Sequence, residues 1–169
     1  AVLLADDLIQ SNVPVLYQMI QEFDRLWASM MAIIEVHPDE TDKYGIIEAE
    51  KAFNGTMSIN SMVEKPKPEE APSNLAVIGR YILTPRIFTH LSKLKKGAGN
   101  EIQLTDSMSA LLQEQPIFGY KFKGTRFDCG DKAGFQLANI AFALERPELS
   151  EKLIPDLKVL LGEVGMFAN

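Results

Sequence analysis

Short apolar runs alternate with longer amphipathic segments along the chain, which is the pattern of strands and helices that follow one another. Residues 1–4 are all apolar, and a second apolar run covers Met30 to Val36. Between them, Ser11 or Asn12 can cap a helix that has Pro14 near its first turn and an apolar stripe along one side. This order predicts a β-α-β unit whose first strand is buried on both faces of a parallel sheet.

The middle of the chain predicts strands that are joined by short turns. Residues 44–49 and 57–63 have strand-like composition, and Gly55 lies in the turn between them. Residues 74–83 form the strongest strand prediction in the chain. Because a short turn joins antiparallel neighbours, the segment around 44–64 is predicted as an antiparallel insertion in the sheet.

Helices dominate the second half of the chain, with two strands between them. Helices are predicted for 84–94, 101–113, 132–144 and 147–161, a loop for 97–100, and strands for 116–122 and 125–128. The predicted fold class is therefore α/β, with a mixed sheet flanked by helices. No internal repeat or long linker divides the sequence, so we expect a single domain over 1–169, with the candidate site in 1–130 and C-terminal helices in 131–169.

Composition narrows the function classes. The chain is 46% hydrophobic and has a formal net charge of −6, which is typical of a globular protein without the basic face that nucleic-acid binding needs. The apolar runs are too short to span a bilayer, and no basic and apolar leader opens the chain. A single cysteine, Cys129, fits a reducing compartment, so we expect a cytoplasmic protein without a membrane partner.

The histidines offer little catalytic chemistry. His37 and His90 lie far apart, and no cysteine pattern surrounds either of them, which argues against a zinc site. Neither stands near a nucleophile elbow. The candidate chemistry therefore rests on carboxylates, lysines and glycines.

An acid and a base stand side by side at the end of a predicted strand, in Val63-Glu64-Lys65-Pro66. A carboxylate can accept hydrogen bonds from two vicinal hydroxyls, and a lysine supplies a mobile positive charge for a phosphate. Gly79, in the next strand, would let a ring-shaped ligand approach the backbone. The pair suits a ligand with hydroxyls at one end and a phosphate at the other, although by itself it could also be a surface ion pair beside a turn.

Two further carboxylates stand at predicted strand ends. Asp6 follows the apolar run at 1–4, and Asp128 precedes a glycine turn and a helix. Ligands of open α/β sheets bind at such ends, and Mg²⁺ favours one or two protein carboxylates together with substrate phosphates. Spacing alone leaves a second interpretation open, in which Asp131 caps the following helix and Asp6 or Asp7 closes a turn.

Six segments in one order carry a family resemblance. They are L-A-D-D, Y-G-I-I-E, V-E-K-P, A-P-S-N-L-A-V-I-G-R-Y, G-A-G-N-E-I-Q-L-T-D and D-C-G-D-K, spread over roughly residues 1–145. Together they resemble the bacterial UTP–glucose-1-phosphate uridylyltransferases. The resemblance implies a Rossmann-like nucleotidyltransferase fold of the glycosyltransferase-A type, present here as one partial domain.

The resemblance also implies a role for each candidate residue. Asp6 and Asp128 would be paired Mg²⁺ ligands and, with Lys65, the catalytic residues. Glu64 would bind the glucose hydroxyls, and Lys65 would bind the sugar phosphate. The substrate pocket would be lined, largely through backbone, by Gly45, Val77 and Gly79, with Asn74 in support.

The implied reaction converts UTP and glucose 1-phosphate to UDP-glucose and pyrophosphate, by in-line attack of the sugar phosphate on the α-phosphorus of UTP. Because the attacking phosphate is already ionised, positioning and charge neutralisation can replace a covalent nucleophile or a strong base. Two other functions stay open: a nucleotidyltransferase that uses another nucleotide such as dTTP, and a non-catalytic sugar-phosphate-binding module.

The sequence departs from the family at its front. The family begins with a strand and a G-x-G-T-R-type loop that holds the nucleotide, and no such motif occurs in these residues. We therefore expect a C-terminal portion, incomplete at the N-terminus, that does not turn over UTP by itself. A missing first strand would leave residues 1–4 as an unpaired parallel edge, and because such edges recruit other chains, a homo-oligomer is expected.

Overall fold

The computed structural model describes residues 1–93 and 104–166, with side chains through residue 162. The chain divides into two compact units. Unit 1 comprises Ala1–Ala5 and Ser11–Gly124, and unit 2 comprises Asp6–Gln10 and Thr125–Asn169. The single domain expected over 1–169, with the candidate site in 1–130 and C-terminal helices in 131–169, stays a prediction.

Most elements lie where the hydrophobic pattern predicts them. In chain order they are β1 (Val2–Leu3), β2 (Asp7–Gln10), α1 (Val15–Leu26), β3 (Ser29–Glu35), β4 (Gly45–Lys51), β5 (Thr56–Glu64), β6 (Leu75–Ile82), α2 (Ile87–Leu91), α3 (Leu104–Leu112), β7 (Ile117–Lys121), β8 (Thr125–Asp128), α4 (Lys132–Leu144) and α5 (Pro147–Met166). β8 and α4 have the predicted bounds. The predicted loop at 97–100, the predicted helix end at 94 and the predicted helix start at 101 lie outside the described residues.

Unit 1 is built on a six-stranded sheet with the order β1-β6-β3-β7-β5-β4. β3 and β7 run parallel, whereas the other paired strands of this sheet run antiparallel. The hairpin of β4 and β5 is the predicted antiparallel insertion, and β4 also pairs with β6. The predicted mixed sheet is thus confirmed, and the extra pairing brings the start of β4 beside the start of β6.

One hydrophobic core joins this sheet with α2 and α3. Its buried members are Met31, Ile33, Ile47, Ile59, Met62, Val77, Tyr81, Ile87, Met108, Leu111 and Ile117. On α1, Val15 and Met19 are buried as well. The helices therefore flank the sheet, as the alternation of elements predicts.

The start of α1 differs from its prediction. Pro14 occupies the cap position, and no side chain caps the helix. The Ser11 hydroxyl donates instead to the Lys123 carbonyl at 2.6 Å. Because its hydroxyl is engaged by a residue 112 positions away, Ser11 does not act as the helix cap.

β1 is not the strand buried on both faces of a parallel sheet that its apolar sequence predicts. It is two residues long, pairs antiparallel with β6, and leaves Leu3 52% exposed. Since β1 and β3 are both antiparallel to β6, they point the same way, as in a β-α-β unit, but β6 lies between them. Among the strands of the described ranges, β1 pairs with β6 alone, so it lies at one edge of the sheet.

Unit 2 consists of an antiparallel ribbon of β2 and β8, with α4 packed against β8 and α5 packed against α4. Asp131 caps α4 as predicted, because its Oδ2 accepts a hydrogen bond from the Gly134 N–H at 2.8 Å. The sequence does not predict β2, since four residues are too few to show a period. Among the helices of the described ranges, none combines the length and the apolar content that crossing a membrane requires.

Candidate active site

Glu64 is the last residue of β5 and lies directly opposite Gly45, the first residue of β4. Its Oε2 accepts a hydrogen bond from the Thr105 hydroxyl at 2.6 Å. A Cβ added to Gly45 would lie 3.1 Å from the same Oε2 and 3.7 Å from the Thr105 hydroxyl oxygen. A side chain at position 45 would therefore crowd the carboxylate oxygen that Thr105 holds, which glycine avoids.

Thr105 is a contact that sequence reasoning does not identify. It lies on α3, 41 residues from Glu64 along the chain. The E-I-Q-L-T-D segment contributes to the family resemblance, but nothing in its local pattern indicates which side chain faces Glu64. The contact fixes one carboxylate oxygen with a neutral donor, and the charge of Glu64 stays uncompensated by a cation of the described residues.

Lys65 follows Glu64 with a backbone that is unusual for a lysine. Its φ angle is 45°, in the left-handed region that favours glycine, and its N–H donates to the Tyr44 carbonyl at 2.9 Å. The side chain is exposed, and its ammonium group has no partner among the described residues. Strained backbone of this kind is found at ligand sites, where the fold holds a side chain in a direction that relaxed backbone would not give.

The remaining predicted pocket residues are Val77 and Gly79 on β6 and Asn74, which directly precedes β6. Ala76 pairs with Ile46, the residue after Gly45, and Val77 is the next residue of β6. The Val77 side chain is buried in the core. Gly79 is buried, and its carbonyl accepts the Leu4 N–H at 2.9 Å. The exposed Asn74 donates from Nδ2 to the Val36 carbonyl at 3.3 Å, so its observed contact ties the start of β6 to the chain that follows β3.

Asp6 and Asp128 come together in unit 2, as their proposed pairing requires. The Cys129 N–H donates to the Asp6 carbonyl at 2.7 Å, which binds the two segments side by side. A Cβ on Gly130 would lie 3.2 Å from Asp128 Oδ1 and 3.6 Å from Asp6 Oδ2. Two carboxylate oxygens therefore face the same small space beside Gly130.

The donor set of this pair fits Mg²⁺. No group of three or more histidine, cysteine, aspartate or glutamate side chains in the described ranges could hold a metal ion. Mg²⁺ keeps several of its own oxygen ligands and needs only one or two protein carboxylates when substrate phosphates complete its shell. Two aspartates without nitrogen or sulfur donors match that preference and do not match zinc.

An ion-paired arginine adjoins the aspartate pair. The Arg126 Nε donates to Asp7 Oδ1, and its Nη2 donates to Asp128 Oδ2 at 3.1 Å. The side chains of Arg126 and Asp7 are only 13% and 8% exposed. Sequence reasoning missed this contact, although Arg126 and Asp128 are two residues apart in a strand and so share one face.

Comparison with known proteins assigns the family. Residues 1–143 match the family model described as Nucleotidyl transferase. The chain belongs to the nucleotidyl transferase family. The fold class predicted from the sequence is that of the family's solved structures, and it is confirmed.

Known relatives of this nucleotidyl transferase are UTP–glucose-1-phosphate uridylyltransferases. The one from Streptococcus pyogenes is 45% identical over 97% of this chain and 54% of its own length. The one from Bacillus subtilis is 40% identical over 96% of this chain and 56% of its own length. The resemblance predicted from the six motifs is confirmed, and the chain spans about half the length of the curated relatives that it matches.

A solved structure gives the same result for the fold. The crystal structure of a UDP-glucose pyrophosphorylase complexed with UDP-glucose is 48% identical to this nucleotidyl transferase, with a TM-score of 0.81 over 85% of this chain and 55% of the other. The likeness thus extends over most of the described residues.

Proposed function

We propose that this nucleotidyl transferase is part of an Mg²⁺-dependent enzyme that makes UDP-glucose and pyrophosphate from UTP and glucose 1-phosphate. The observation that carries the proposal is the arrangement around Glu64, where Thr105 fixes one carboxylate oxygen and the other oxygen has no partner among the described residues. Relatives that are named for this reaction and a solved relative that binds UDP-glucose support the choice of substrates.

Glu64 and Lys65 divide the recognition of glucose 1-phosphate between them. Oε2 of Glu64 is engaged by Thr105, and Oε1 has no partner in the described ranges, so it is available to glucose hydroxyls. The ammonium group of Lys65 binds the phosphate and orients its oxygen for attack. This division uses the acceptor of the pair for the hydroxyl end of the ligand and the cation for its anionic end.

Asp6 and Asp128 would hold Mg²⁺, which supplies charge neutralisation at the α-phosphate of the nucleotide. The chain's other residues need only bind and orient, because the sugar phosphate is ionised before it attacks. The attacking oxygen forms a bond to the α-phosphorus while the bond to pyrophosphate breaks. No described side chain has to accept a proton.

UTP is preferred to dTTP in this proposal because the relatives are named for UTP. A non-catalytic sugar-phosphate-binding module is disfavoured because such a module has no need for the adjacent carboxylates of Asp6 and Asp128. The 169 residues contain no G-x-G-T-R segment, so we expect them by themselves to bind glucose 1-phosphate without forming UDP-glucose. Formation of UDP-glucose by the purified chain, free of other uridylyltransferase, would contradict this expectation.

Isothermal titration of glucose 1-phosphate tests the proposal, with Glu64→Gln compared with Glu48→Gln. The two glutamates form a matched pair, because Glu48 lies on the neighbouring strand and accepts the Ser61 hydroxyl at 3.1 Å, much as Glu64 accepts Thr105. Glu64→Gln removes charged hydrogen bonds to the sugar and should weaken binding at least about tenfold. Glu48→Gln should leave the affinity unchanged. Equal effects of the two variants would refute the assignment of Glu64.

A homo-oligomer in the cytoplasm completes the proposal. Leu3 on the edge strand β1 is exposed, and so are Phe135 and Leu137 of α4 and Leu160 and Leu161 of α5. Exposed apolar surface of this kind favours association with another chain. Sedimentation velocity over a wide concentration range should show self-association, and a monomer throughout that range would count against it. The lone cysteine supports a reducing compartment.

A further inference from the structure

Two aspartates face each other across the ribbon of unit 2. Asp7 on β2 lies directly opposite Asp128 on β8 in the register of the pair. Like charges in this position destabilise a ribbon unless a cation lies between them. Arg126 supplies that cation, because it shares a face of β8 with Asp128 and its guanidinium group contacts both carboxylates.

We propose that Arg126 is a positioning residue that orients the Asp128 carboxylate toward the metal, and that Asp7 keeps the charge of Arg126 from weakening the metal site. The inference rests on the proposed function, because the metal pair of Asp6 and Asp128 is part of it. Neither Arg126 nor Asp7 needs to touch the metal or a substrate.

The hydrogen bonds of Asp128 support the orienting role. Its Oδ2 accepts from Arg126 at 3.1 Å, and its Oδ1 accepts from the Gly130 N–H at 3.1 Å. Two donors on different oxygens prevent rotation of the carboxylate. Asp128 Oδ1, which accepts from Gly130, is also the oxygen that shares the space beside Gly130 with Asp6 Oδ2. Arg126 holds the other oxygen, Oδ2, and so leaves Oδ1 directed toward Asp6.

The charges support the role of Asp7. An arginine beside a metal-binding carboxylate would ordinarily compete with the metal ion. Asp7 is buried and pairs with the Nε of Arg126, which neutralises the guanidinium group locally. Three aspartates and one arginine leave a formal charge of −2, the same as that of Asp6 and Asp128 alone. The site thus gains a rigid donor without losing negative charge.

The double variant Asp7→Asn with Arg126→Gln separates orientation from charge. It removes one negative and one positive charge, so the formal charge of the cluster stays at −2 while the guanidinium donor is lost. Binding of Mn²⁺ to the full 169-residue chain would be measured from the electron paramagnetic resonance signal of free Mn²⁺, with displacement by Mg²⁺ as a check. Loss of an outer partner of a metal ligand should weaken Mn²⁺ binding about tenfold.

A second arginine–carboxylate pair provides the control. Arg86 and Glu114, in unit 1, form two hydrogen bonds, at 2.7 and 3.1 Å. The variant Arg86→Gln with Glu114→Gln makes the same kind of chemical change within unit 1 and should leave Mn²⁺ affinity unchanged. The variant Asp6→Asn with Asp128→Asn defines the background, because it removes the proposed ligands.

Each result supports or overturns the inference. The double variant must first show an unchanged circular dichroism spectrum. If it then binds Mn²⁺ as tightly as the unmodified chain, or more tightly, the role of Arg126 is overturned, while the assignment of Asp6 and Asp128 as metal ligands still stands. If the unmodified chain binds Mn²⁺ no better than the Asp6→Asn, Asp128→Asn background, both the metal pair and the role of Arg126 fail. Binding of glucose 1-phosphate would still report separately on the sugar site.

Arg126→Lys keeps the test decisive if the double variant does not fold. Lysine retains the positive charge next to the buried Asp7 but lacks the planar fork that reaches two carboxylates at once. We expect this variant to fold and to bind Mn²⁺ several-fold more weakly than the unmodified chain. Unchanged Mn²⁺ affinity in Arg126→Lys would overturn the proposal.

Discussion

Glu64 and Asp128 are both carboxylates at strand ends, but the two units hold them in different ways. Glu64, in unit 1, has one described hydrogen bond, from the neutral Thr105 hydroxyl, and stands beside a glycine. Asp128, in unit 2, is held on one oxygen by a backbone N–H and on the other by a guanidinium group. A carboxylate that must accept hydroxyls from a ligand keeps acceptor capacity free, whereas one that must hold a cation is fixed in direction by donors on both oxygens.

The surroundings of the two carboxylates differ as well. Unit 1 encloses a core of fully buried side chains that includes Met31, Ile33 and Leu111. In α4 only Ala138 is buried among the described side chains, and Leu161 of α5 is 71% exposed. A two-stranded ribbon with two helices offers too little surface to cover its apolar residues. Unit 2 therefore depends more on polar contacts and close backbone packing than unit 1 does.

Replacement of a glycine in each unit should give the largest difference. A Cβ on Gly134 would lie 2.0 Å from the Asp128 carbonyl oxygen, whereas a Cβ on Gly119 in unit 1 would lie 2.9 Å from the flexible end of Ile33. Backbone cannot yield as a side chain can, so Gly134→Ala should cost about 3 kcal/mol of unfolding free energy and Gly119→Ala about 1 kcal/mol. Urea unfolding followed by circular dichroism measures both. Similar losses of unfolding free energy in the two variants would contradict this prediction, because they would mean that the backbone beside Gly134 accommodates a methyl group as easily as the Ile33 side chain beside Gly119 does.

The hydroxyl that holds Glu64 should matter next. Thr105→Val keeps the shape of the side chain and removes the donor, so the carboxylate loses its fixed direction. Glucose 1-phosphate affinity should fall about fivefold, which corresponds to about 1 kcal/mol for one hydrogen bond. Ser107→Ala on the same helix is the control, since the buried Ser107 hydroxyl has no hydrogen-bond partner among the described atoms. Titration calorimetry that finds the two variants alike would show that Thr105 does not position Glu64.

The backbone of Lys65 predicts an effect on stability that is separate from binding. Both Lys65→Gly and Lys65→Ala should lose affinity for the sugar phosphate, but the glycine variant should be about 1 kcal/mol more stable, because glycine adopts a φ of 45° without strain. Lys67 has a φ of −62°, so there the glycine variant should be no more stable than the alanine variant. Thermal unfolding of the four variants measures the difference in stability between glycine and alanine at each position. The prediction is refuted if this difference is the same at positions 65 and 67.

An exposed arginine–carboxylate pair should give the smallest effect and serves as a reference for Arg126. The Arg86 guanidinium holds the pKa of Glu114 below its ordinary value of 4.5. Because that pKa is lowered in the folded state, the pair stabilises the fold above the ordinary carboxylate pKa, and this contribution disappears as the pH falls through the lowered value. Glu114→Gln should therefore lower stability slightly at pH 7 and not at pH 2, as urea unfolding at both values would show. Glu145→Gln, an exposed glutamate on unit 2, is the control.

Hydrophobic period and capping residues predict much of the fold, because both depend on residues that are close together in the sequence. The bounds of β8 and α4 follow from period and capping, and Asp131 caps α4 as its position before the helix indicates. The prediction that β1 is buried on both faces is wrong, because an apolar run does not show whether a strand lies at the centre or at the edge of a sheet.

The candidate site is predictable only in part, for a related reason. Glu64 and Asp128 stand at strand ends that the sequence marks, and family motifs supply their proposed roles. Thr105 and Arg126 act through contacts that span 41 and 119 positions, from Thr105 to Glu64 and from Arg126 to Asp7. Such pairs are set by sheet register and helix packing, which no single segment contains.

A crystal structure of the chain with glucose 1-phosphate and Mn²⁺, with anomalous scattering recorded for manganese, tests the central claim most directly. The account predicts an anomalous peak between Asp6 and Asp128, with Arg126 still bonded to Asp128, and glucose hydroxyls on the carboxylate of Glu64. A manganese peak on Glu64, or a sugar phosphate bound away from Glu64 and Lys65, would contradict it.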